Sequence, residues 1–228
     1  MLTYLRALLV GIGALLALGL TACSGGSSPE AIESSVGATS ATTFPPAGTY
    51  LADITRDGRA MSIGISVDGS EIAAYACNGA DDEAWFFGSQ SAGRIDIDSR
   101  FRDTLEATFD GTDVEGELTV NGMAYPFTAT PAQAPAGVYT ADAGGVRSSW
   151  VLRTDGSAIG VQFSGGVSDH ELEQAERLAA EQFRDQVRSR RQLQQAAPLV
   201  VMHSGAMGST INGRAVTPTL VQGGFRLG

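Results

Sequence analysis

The chain has 228 residues, of which 43% are hydrophobic and 18% are charged, a composition that excludes a disordered tail and a polytopic membrane protein. Its formal net charge of −10 leaves no basic surface for phosphate backbones, so we expect no nucleic-acid partner. Glycine is abundant, with 29 residues, and aromatic side chains are few, which favours short strands joined by tight turns.

The first segment has the layout of an export signal. Arg6 precedes an apolar run over residues 7–20, which is shorter than the roughly 20 residues that span a bilayer. The run ends in Leu20-Thr21-Ala22-Cys23, which resembles the lipobox of bacterial lipoproteins. The resemblance implies that residues 1–22 are removed and that the thiol of Cys23 carries diacylglycerol. We therefore expect lipid anchoring on the extracytoplasmic side of the cell membrane, because two acyl chains attach durably.

We predict that residues 23–46 comprise the lipidated cysteine followed by a flexible tether. Ser, Gly, Ala, Thr and Pro dominate the stretch, which cannot bury enough apolar surface to offset its conformational entropy. Anionic lipid head groups repel an acidic body, so we expect the chain to meet the membrane through its lipid rather than through a basic face.

Short apolar segments alternate with turn signals from Ala47 onward. Asp57-Gly58, Asp68-Gly69 and Asn121-Gly122 tolerate positive φ and close tight hairpins. The pattern predicts an antiparallel meander of eight strands, at residues 49–54, 61–67, 71–76, 84–88, 94–98, 105–109, 114–120 and 124–129.

An internal repeat divides the body into residues 47–130 and 131–228. Three motifs recur in order: Ala47-Gly48-Thr49-Tyr50 as Ala136-Gly137-Val138-Tyr139, Asp68-Gly69-Ser70 as Asp155-Gly156-Ser157, and Asn121-Gly122 as Asn212-Gly213. Duplication explains this order, and chance similarity of common turn sequences is the alternative. We predict a mainly β protein whose two related halves share one antiparallel sandwich or closed barrel, which removes exposed strand edges.

The second half contains a polar segment that predicts one long amphipathic helix over about residues 168–196. Ser168-x-x-Glu171 is a capping box, and Pro198 ends the segment. An apolar stripe follows the helical period, at Leu172, Ala175, Ala179, Phe183 and Val187. Two interpretations remain: a solvated helix on an open sheet face, or an arginine-rich tip that meets an acidic partner, at Arg188, Arg190 and Arg191.

Catalytic signatures are scarce. His170 and His203 are the two histidines, and no G-x-S-x-G motif surrounds any serine. His203 and Ser204 are adjacent, and neighbours on a strand point to opposite faces. A metal site on this predicted helix would need a second ligand four residues after His170, and that position holds Gln174, which argues against a helical metal pair. We expect no catalytic residue, metal or cofactor, and the alternative is an envelope hydrolase with a site near His203.

Cys77 and a set of aromatic residues have two interpretations each. Acidic residues follow Cys77 closely and disfavour a thiolate, so we expect a buried thiol, with an intermolecular disulfide as the alternative. Four aromatic residues are predicted to line a ligand site, and the alternative is that they belong to the core: Tyr75, Trp85, Phe87 and Trp150.

Three short motifs carry a further resemblance. Tyr75-x-Cys77-Asn78-Gly79, Trp85-Phe86-x-Gly88 and the Ala136-Gly137-x-Tyr139 start of the second half are similar to exported β-rich lipoproteins of high-GC actinobacteria, over residues 50–161. That family has no assigned activity, so the resemblance implies an envelope location and no catalytic residues. We therefore expect a non-catalytic binding or scaffolding lipoprotein whose ligand is an envelope protein, a polymer or a small molecule.

Overall fold

The computed structural model describes residues 42–227. The predicted signal peptide, the lipobox with Cys23 and most of the predicted tether lie outside the described residues. Among those described, no helix has both the length and the apolar character that crossing a bilayer requires.

Eight antiparallel strands form a closed barrel in chain order, and the last strand pairs with the first where Tyr50 faces Pro131. Every strand that the sequence pattern predicts between residues 49 and 129 lies within one of them, so the meander is confirmed. The strands are β1 (Ala47–Arg56), β2 (Arg59–Asp68), β3 (Glu71–Cys77), β4 (Glu83–Ser91), β5 (Arg94–Asp98), β6 (Thr104–Phe109), β7 (Val114–Val120) and β8 (Met123–Pro131).

Two-residue turns set the register of the barrel hairpins. Asp57 and Gly58 have φ values of 50° and 74°, and Asn121 and Gly122 have φ values of 52° and 75°. Two successive residues with positive φ match the right-handed twist of the flanking strands. The turn signals therefore fix the pairing of β1 with β2 and of β7 with β8.

The barrel interior is filled by side chains. Alternate residues of β2 point inward, including Met61, Ile63 and Ile65, and they pack with Tyr50 and Phe86 in one buried cluster. An eight-stranded barrel is just wide enough for side chains to fill it. A ligand site therefore has to lie outside this interior.

The second half forms two separate sheets. The larger one, which we call the outer sheet, has the order β12-β11-β10-β9-β16, and the smaller has the order β13-β14-β15. Their strands are β9 (Gly137–Ala143), β10 (Val146–Leu152), β11 (Ala158–Phe163), β12 (Leu193–Gln195), β13 (Val200–Val201), β14 (Met207–Ile211), β15 (Arg214–Val216) and β16 (Thr219–Leu220).

The mainly β antiparallel architecture with a closed barrel is confirmed, but the expectation that both halves share the barrel is wrong. All barrel strands lie between residues 47 and 131. The chain turns helical after β11, so the second half lacks the strands that would complete a barrel of its own.

The outer sheet packs on the outside of the barrel. Tyr75, Cys77 and Trp85 form a buried cluster with Val138 and Val161, among other apolar residues. This contact buries β2 and β3 on both faces and explains why most of their residues are inaccessible. The cluster joins the two halves through apolar burial, the dominant stabilising contribution in folding.

The predicted long helix is wrong. The segment contains two short helices, α1 (Asp169–Gln174) and α2 (Ala180–Gln186), with single 3-10 turns at Ala175–Arg177 and Arg188–Arg190. The backbone is extended at Leu178, which has a ψ of 143°. The guanidinium of Arg102 donates to the carbonyls of Ala175, Glu176 and Leu178 at 2.8–3.0 Å, so the barrel pairs the carbonyls that the break frees.

Candidate functional site

Three of the four predicted ligand-binding aromatic residues lie together. The ring centroids of Tyr75 and Trp85 are 4.7 Å apart, and those of Trp85 and Phe87 are 5.3 Å apart at an interplanar angle of 15°. Trp150 lies on the opposite face of the outer sheet, where it packs with Met207 and its Nε1 donates to the carbonyl of Ala197 at 2.8 Å. The structure therefore does not bring Trp150 to the other three.

A small, partly open cavity lies beside this cluster, between β4 and the outer sheet. Its volume is about 70 Å³. Residues of β4 at every second position face it, because side chains alternate along a strand. We call it the aromatic pocket, and it is lined by Glu83, Ala84, Trp85, Phe87, Ser99, Arg100, Phe101, Arg147, Phe163, Arg191 and Leu227.

The opposite wall comes from two paired strands of the outer sheet. Arg147 of β10 faces Phe163 of β11 directly in the strand register. The guanidinium carbon of Arg147 lies 4.9 Å from the centroid of the Phe163 ring, a cation–π contact. The pocket thus combines aromatic surfaces with a positive charge held at a fixed position.

Glu83 and Arg147 form an ion pair across the two sheets. Nη2 of Arg147 donates to Oε1 of Glu83, and the two side chains are 13% and 4% exposed, respectively. A buried carboxylate needs a counter-charge, and the pair supplies one within the pocket wall. The pair makes this wall of the pocket polar. It adds no net charge, because the carboxylate and the guanidinium balance each other.

Three buried polar atoms in the pocket wall have no hydrogen-bond partner within residues 42–227. They are Oε2 of Glu83, Nε1 of Trp85 and Nε of Arg147. A buried donor or acceptor without a partner costs about 1–3 kcal/mol, and native proteins contain few of them. A water-sized probe does not reach any of the three atoms, so they lie behind the surface of the pocket, and two of them belong to the Glu83–Arg147 ion pair.

An ionic network borders the pocket and holds the helical segment to the barrel. Nη1 of Arg188 donates to both carboxylate oxygens of Asp103 at 2.6 Å, and Nη2 donates to Asp82 at 2.7 Å. Arg191 donates to Asp82 at 2.9 Å and to the carbonyl of Glu83 at 2.8 Å. The network therefore connects the helical segment to the strand that carries Glu83.

Burial and charge compete in this network. Burial alone would lower the pKa of Arg188, but the carboxylates of Asp103 and Asp82 outweigh it, so that pKa is raised. Burial raises the pKa of Asp103 above its ordinary value in spite of the adjacent Arg188. Arg188 therefore stays charged, and its side chain is only 3% exposed.

The predicted arginine-rich tip is not a single exposed surface. Arg188 and Arg191 bind the acidic residues just described within the chain, whereas the exposed Arg190 pairs with Glu171 at 2.7 Å. The alternative of an arginine-rich tip that meets a separate acidic partner therefore does not describe Arg188 and Arg191, which are buried in ion pairs within the chain. Their carboxylate partners, Asp82 and Asp103, come from the barrel half of the same chain.

A larger polar cleft of about 740 Å³ lies on the other side of the same network. Its lining is mostly charged or amide side chains, including Arg59, Asn78, Asp81 and Arg184. None of the described residues that line it contributes an unpartnered buried polar atom. The aromatic pocket, which combines flat apolar walls with a few fixed polar groups, is the stronger candidate site.

His203 lies in the exposed turn between β13 and β14 and does not line the aromatic pocket. Its neighbour Ser204 accepts a hydrogen bond from the backbone N–H of Ala206 at 3.4 Å, within the same turn. Within residues 42–227, no group of three or more His, Cys, Asp or Glu side chains is arranged to hold a metal ion.

Cys77 is fully buried in the contact between barrel and outer sheet. Burial raises the pKa of its thiol to about 12, against hydrogen bonds that lower it. The thiolate is the nucleophilic form, so this cysteine is unreactive in the folded chain. The expectation of a buried thiol is confirmed.

Glu83, Arg147 and Phe163 line the pocket but were not predicted from the sequence as site residues. A local signal exists for Glu83, because it precedes Trp85 and Phe87 at alternate positions of one strand. No local signal joins it to Arg147, which is 64 residues away in the chain.

Comparisons of the chain with protein-family models, with curated proteins and with solved structures found no match.

Proposed function

We propose that the chain is a lipid-anchored protein of the cell envelope that binds a ligand in the aromatic pocket without catalysing a reaction. The observation that carries the proposal is the aromatic pocket itself, a cavity of about 70 Å³ whose walls combine stacked aromatic rings with the fixed ion pair of Glu83 and Arg147. The lipobox ending at Cys23 supports the envelope location and the tether supports attachment at a distance from the membrane.

The lining of the pocket favours recognition over catalysis. Its carboxylate, Glu83, is fixed by Arg147, and the hydroxyl among the described lining residues, Ser99, donates to Asp103 at 3.0 Å. A nucleophile needs a free base within hydrogen-bond distance. The aromatic surfaces and the fixed polar groups are instead typical of a binding site, in which a few polar atoms orient a ligand.

Co-purification tests this function. The acylated protein is isolated from its native membranes in mild detergent, and bound small molecules are extracted and compared by mass spectrometry for wild type, Trp85→Phe and Trp150→Phe. Trp150→Phe is the matched control, because it removes an indole N–H that already has a partner. We expect wild type and Trp150→Phe to release the same molecule, and Trp85→Phe to release much less of it. Wild-type protein without a bound molecule, or equal release from all three, would contradict the function.

We also infer that the second half is a partial copy of the first. β9–β11 repeat the order and turns of β1–β3, and the Asn212-Gly213 turn joins β14 to β15 as Asn121-Gly122 joins β7 to β8. The helical segment occupies the place of β4 to β6. The inference predicts that homologues without this segment carry strands there, and a homologue with an unrelated second half would contradict it.

A further inference from the structure

The hairpin of β13 and β14, which we call the apolar hairpin, concentrates the exposed apolar side chains of the described residues. Four large apolar side chains between residues 42 and 227 are exposed, and three of them are consecutive here: Val200 at 53%, Val201 at 65% and Met202 at 38%. The fourth, Leu220, lies on β16. Consecutive side chains of a strand point to opposite faces, so both faces of β13 are open to solvent.

The apolar hairpin projects from a fixed root. β13 is an edge strand of the small sheet and pairs with β14, where Val201 faces Met207. Met207 is buried in one cluster with Trp150, whereas every residue from 200 to 206 is exposed. The backbone N–H of Met202 donates to the carbonyl of Ala206 at 2.8 Å and closes the turn. The exposed apolar side chains therefore belong to a folded projection.

The segment that contains the apolar hairpin has no formal charge. With histidine neutral, no charged side chain occurs from Gln192 to Gly213, although the whole chain has a net charge of −10. Anionic lipid head groups repel carboxylates, and this segment presents none. The hairpin thus combines exposed apolar side chains with the absence of like-charge repulsion.

We propose that the apolar hairpin docks on the phospholipid bilayer that holds the lipid anchor, an inference that rests on the proposed lipidation of Cys23. The connection from Cys23 to Thr42 spans at most about 65 Å when fully extended. A body the size of residues 42–227 has a radius of gyration of about 16 Å. Any face of the body can therefore reach the bilayer, so the chemistry of the surface decides which face docks. The tether lets the body stand away from the membrane, and the hairpin gives it a second, docked position.

The lipid anchor makes a weak contact sufficient. Three apolar side chains are too few to hold a free protein on a bilayer, because each contributes only a small transfer free energy. An anchored body stays close to the surface, so its docking is an intramolecular step at high effective concentration. The docking is therefore reversible and depends on the anchor.

A bilayer fits the apolar hairpin better than a protein partner. Hot spots of protein interfaces are enriched in Trp, Tyr and Arg, whereas Val is under-represented there. Residues 199–206 contain none of those three anchor types. β13 has two residues, which is too short an edge for strand pairing with a second copy. Apolar side chains enter the acyl boundary of a membrane without needing a complementary surface.

The methionine methyl groups give a direct readout of docking. The mature acylated chain is labelled with ¹³C-methyl methionine and placed in nanodiscs of equal parts phosphatidylethanolamine and phosphatidylglycerol, and Met202→Leu assigns the Met202 signal. Lipids that carry a nitroxide on the acyl chain should broaden the Met202 signal strongly. The signal of Met61, which lies inside the barrel, should change little. Broadening of Met202 no greater than that of Met61 would overturn the proposal.

Paired substitution of Val200→Ser and Val201→Ser tests the apolar contribution. Leu220→Ser is the matched control, because it removes the exposed apolar side chain that lies outside the hairpin. We expect the paired substitution to reduce the broadening of Met202 at least about threefold, since it removes apolar area that the bilayer would bury. Leu220→Ser should leave the broadening unchanged. Equal broadening in wild type and in the paired variant would refute docking through this hairpin.

Salt separates apolar docking from electrostatic attraction. The broadening of Met202 should not fall when the salt concentration is raised, because the segment has no formal charge to screen. Loss of broadening at high salt would refute the apolar contact. An acylated chain whose Met202 stays in water would refute docking and leave the lipid-anchored binding function intact. Native protein without acyl groups at Cys23 would instead refute the anchor and the docking together.

Discussion

Oε1 of Glu83 accepts a hydrogen bond from Nη2 of Arg147, while Oε2 of the same carboxylate and Nε of the same guanidinium are buried and have no hydrogen-bond partner among the described residues. One side chain belongs to the barrel and the other to the outer sheet. The ion pair therefore joins the two sheets.

Arg147→Met should destabilise the fold by about 3 kcal/mol or more, because it leaves the buried carboxylate of Glu83 without a counter-charge. Chemical denaturation of the full chain measures the change in the free energy of unfolding. Arg59→Met is the matched control, since Arg59 is an exposed arginine of β2. We expect a change within about 0.5 kcal/mol there. Similar losses for the two variants would show that the ion pair has no special role.

Arg188→Met should also destabilise the chain by about 3 kcal/mol or more, because it leaves Asp103 buried beside Asp82 without the central guanidinium. The exposed Arg190 provides the control, and its pair with Glu171 contributes at most about 1 kcal/mol. Urea unfolding of Arg188→Met and Arg190→Met tests this difference. A loss below about 1 kcal/mol for Arg188→Met would contradict the structural role of the network.

Cys77 should resist alkylation in the folded chain. Burial keeps the pKa of its thiol at about 12, so thiolate and access are both lacking at pH 8. Iodoacetamide followed by intact-mass measurement should show no addition at Cys77 under native conditions and complete addition in denaturant. Rapid modification of the folded protein would show that the barrel and the outer sheet separate readily.

Acid should remove the contribution of the capping box at α1. Hydrogen bonds from the backbone and side chain of Ser168, together with Arg190, lower the pKa of Glu171 from 4.5 to about 2. Because the pKa is lower in the folded chain, the stabilisation is fully present above about pH 4.5 and is lost as the pH falls through 2. The difference in stability between wild type and Glu171→Gln should shrink over that range. A constant difference between pH 6 and pH 2 would be inconsistent with this titration.

The barrel could be predicted from sequence because its signals are local. Asn121-Gly122 encodes its own turn, and the alternation of Met61, Ile63 and Ile65 identifies the inward face of β2. Such signals require no knowledge of distant residues. The same two-residue period puts Trp85 and Phe87 on one face of β4, where the candidate pocket lies.

The helical segment and the pocket depend on distant contacts. An apolar stripe suggested one long helix, but Arg102, more than 70 residues away, binds the carbonyls at the break near Leu178. One face of the outer sheet packs on the barrel, which brings Arg147 to Glu83 and leaves Trp150 on the opposite face, away from Trp85. No local sequence pattern predicts which face of the outer sheet contacts the barrel.

Native mass spectrometry of the protein extracted from its own membranes tests the central claim most directly. We expect a chain that begins at Cys23, carries a diacylglycerol and holds an additional small molecule that collisional activation releases. A chain that retains residues 1–22 without acyl groups, or an acylated chain with no releasable molecule, would contradict a lipid-anchored binding protein.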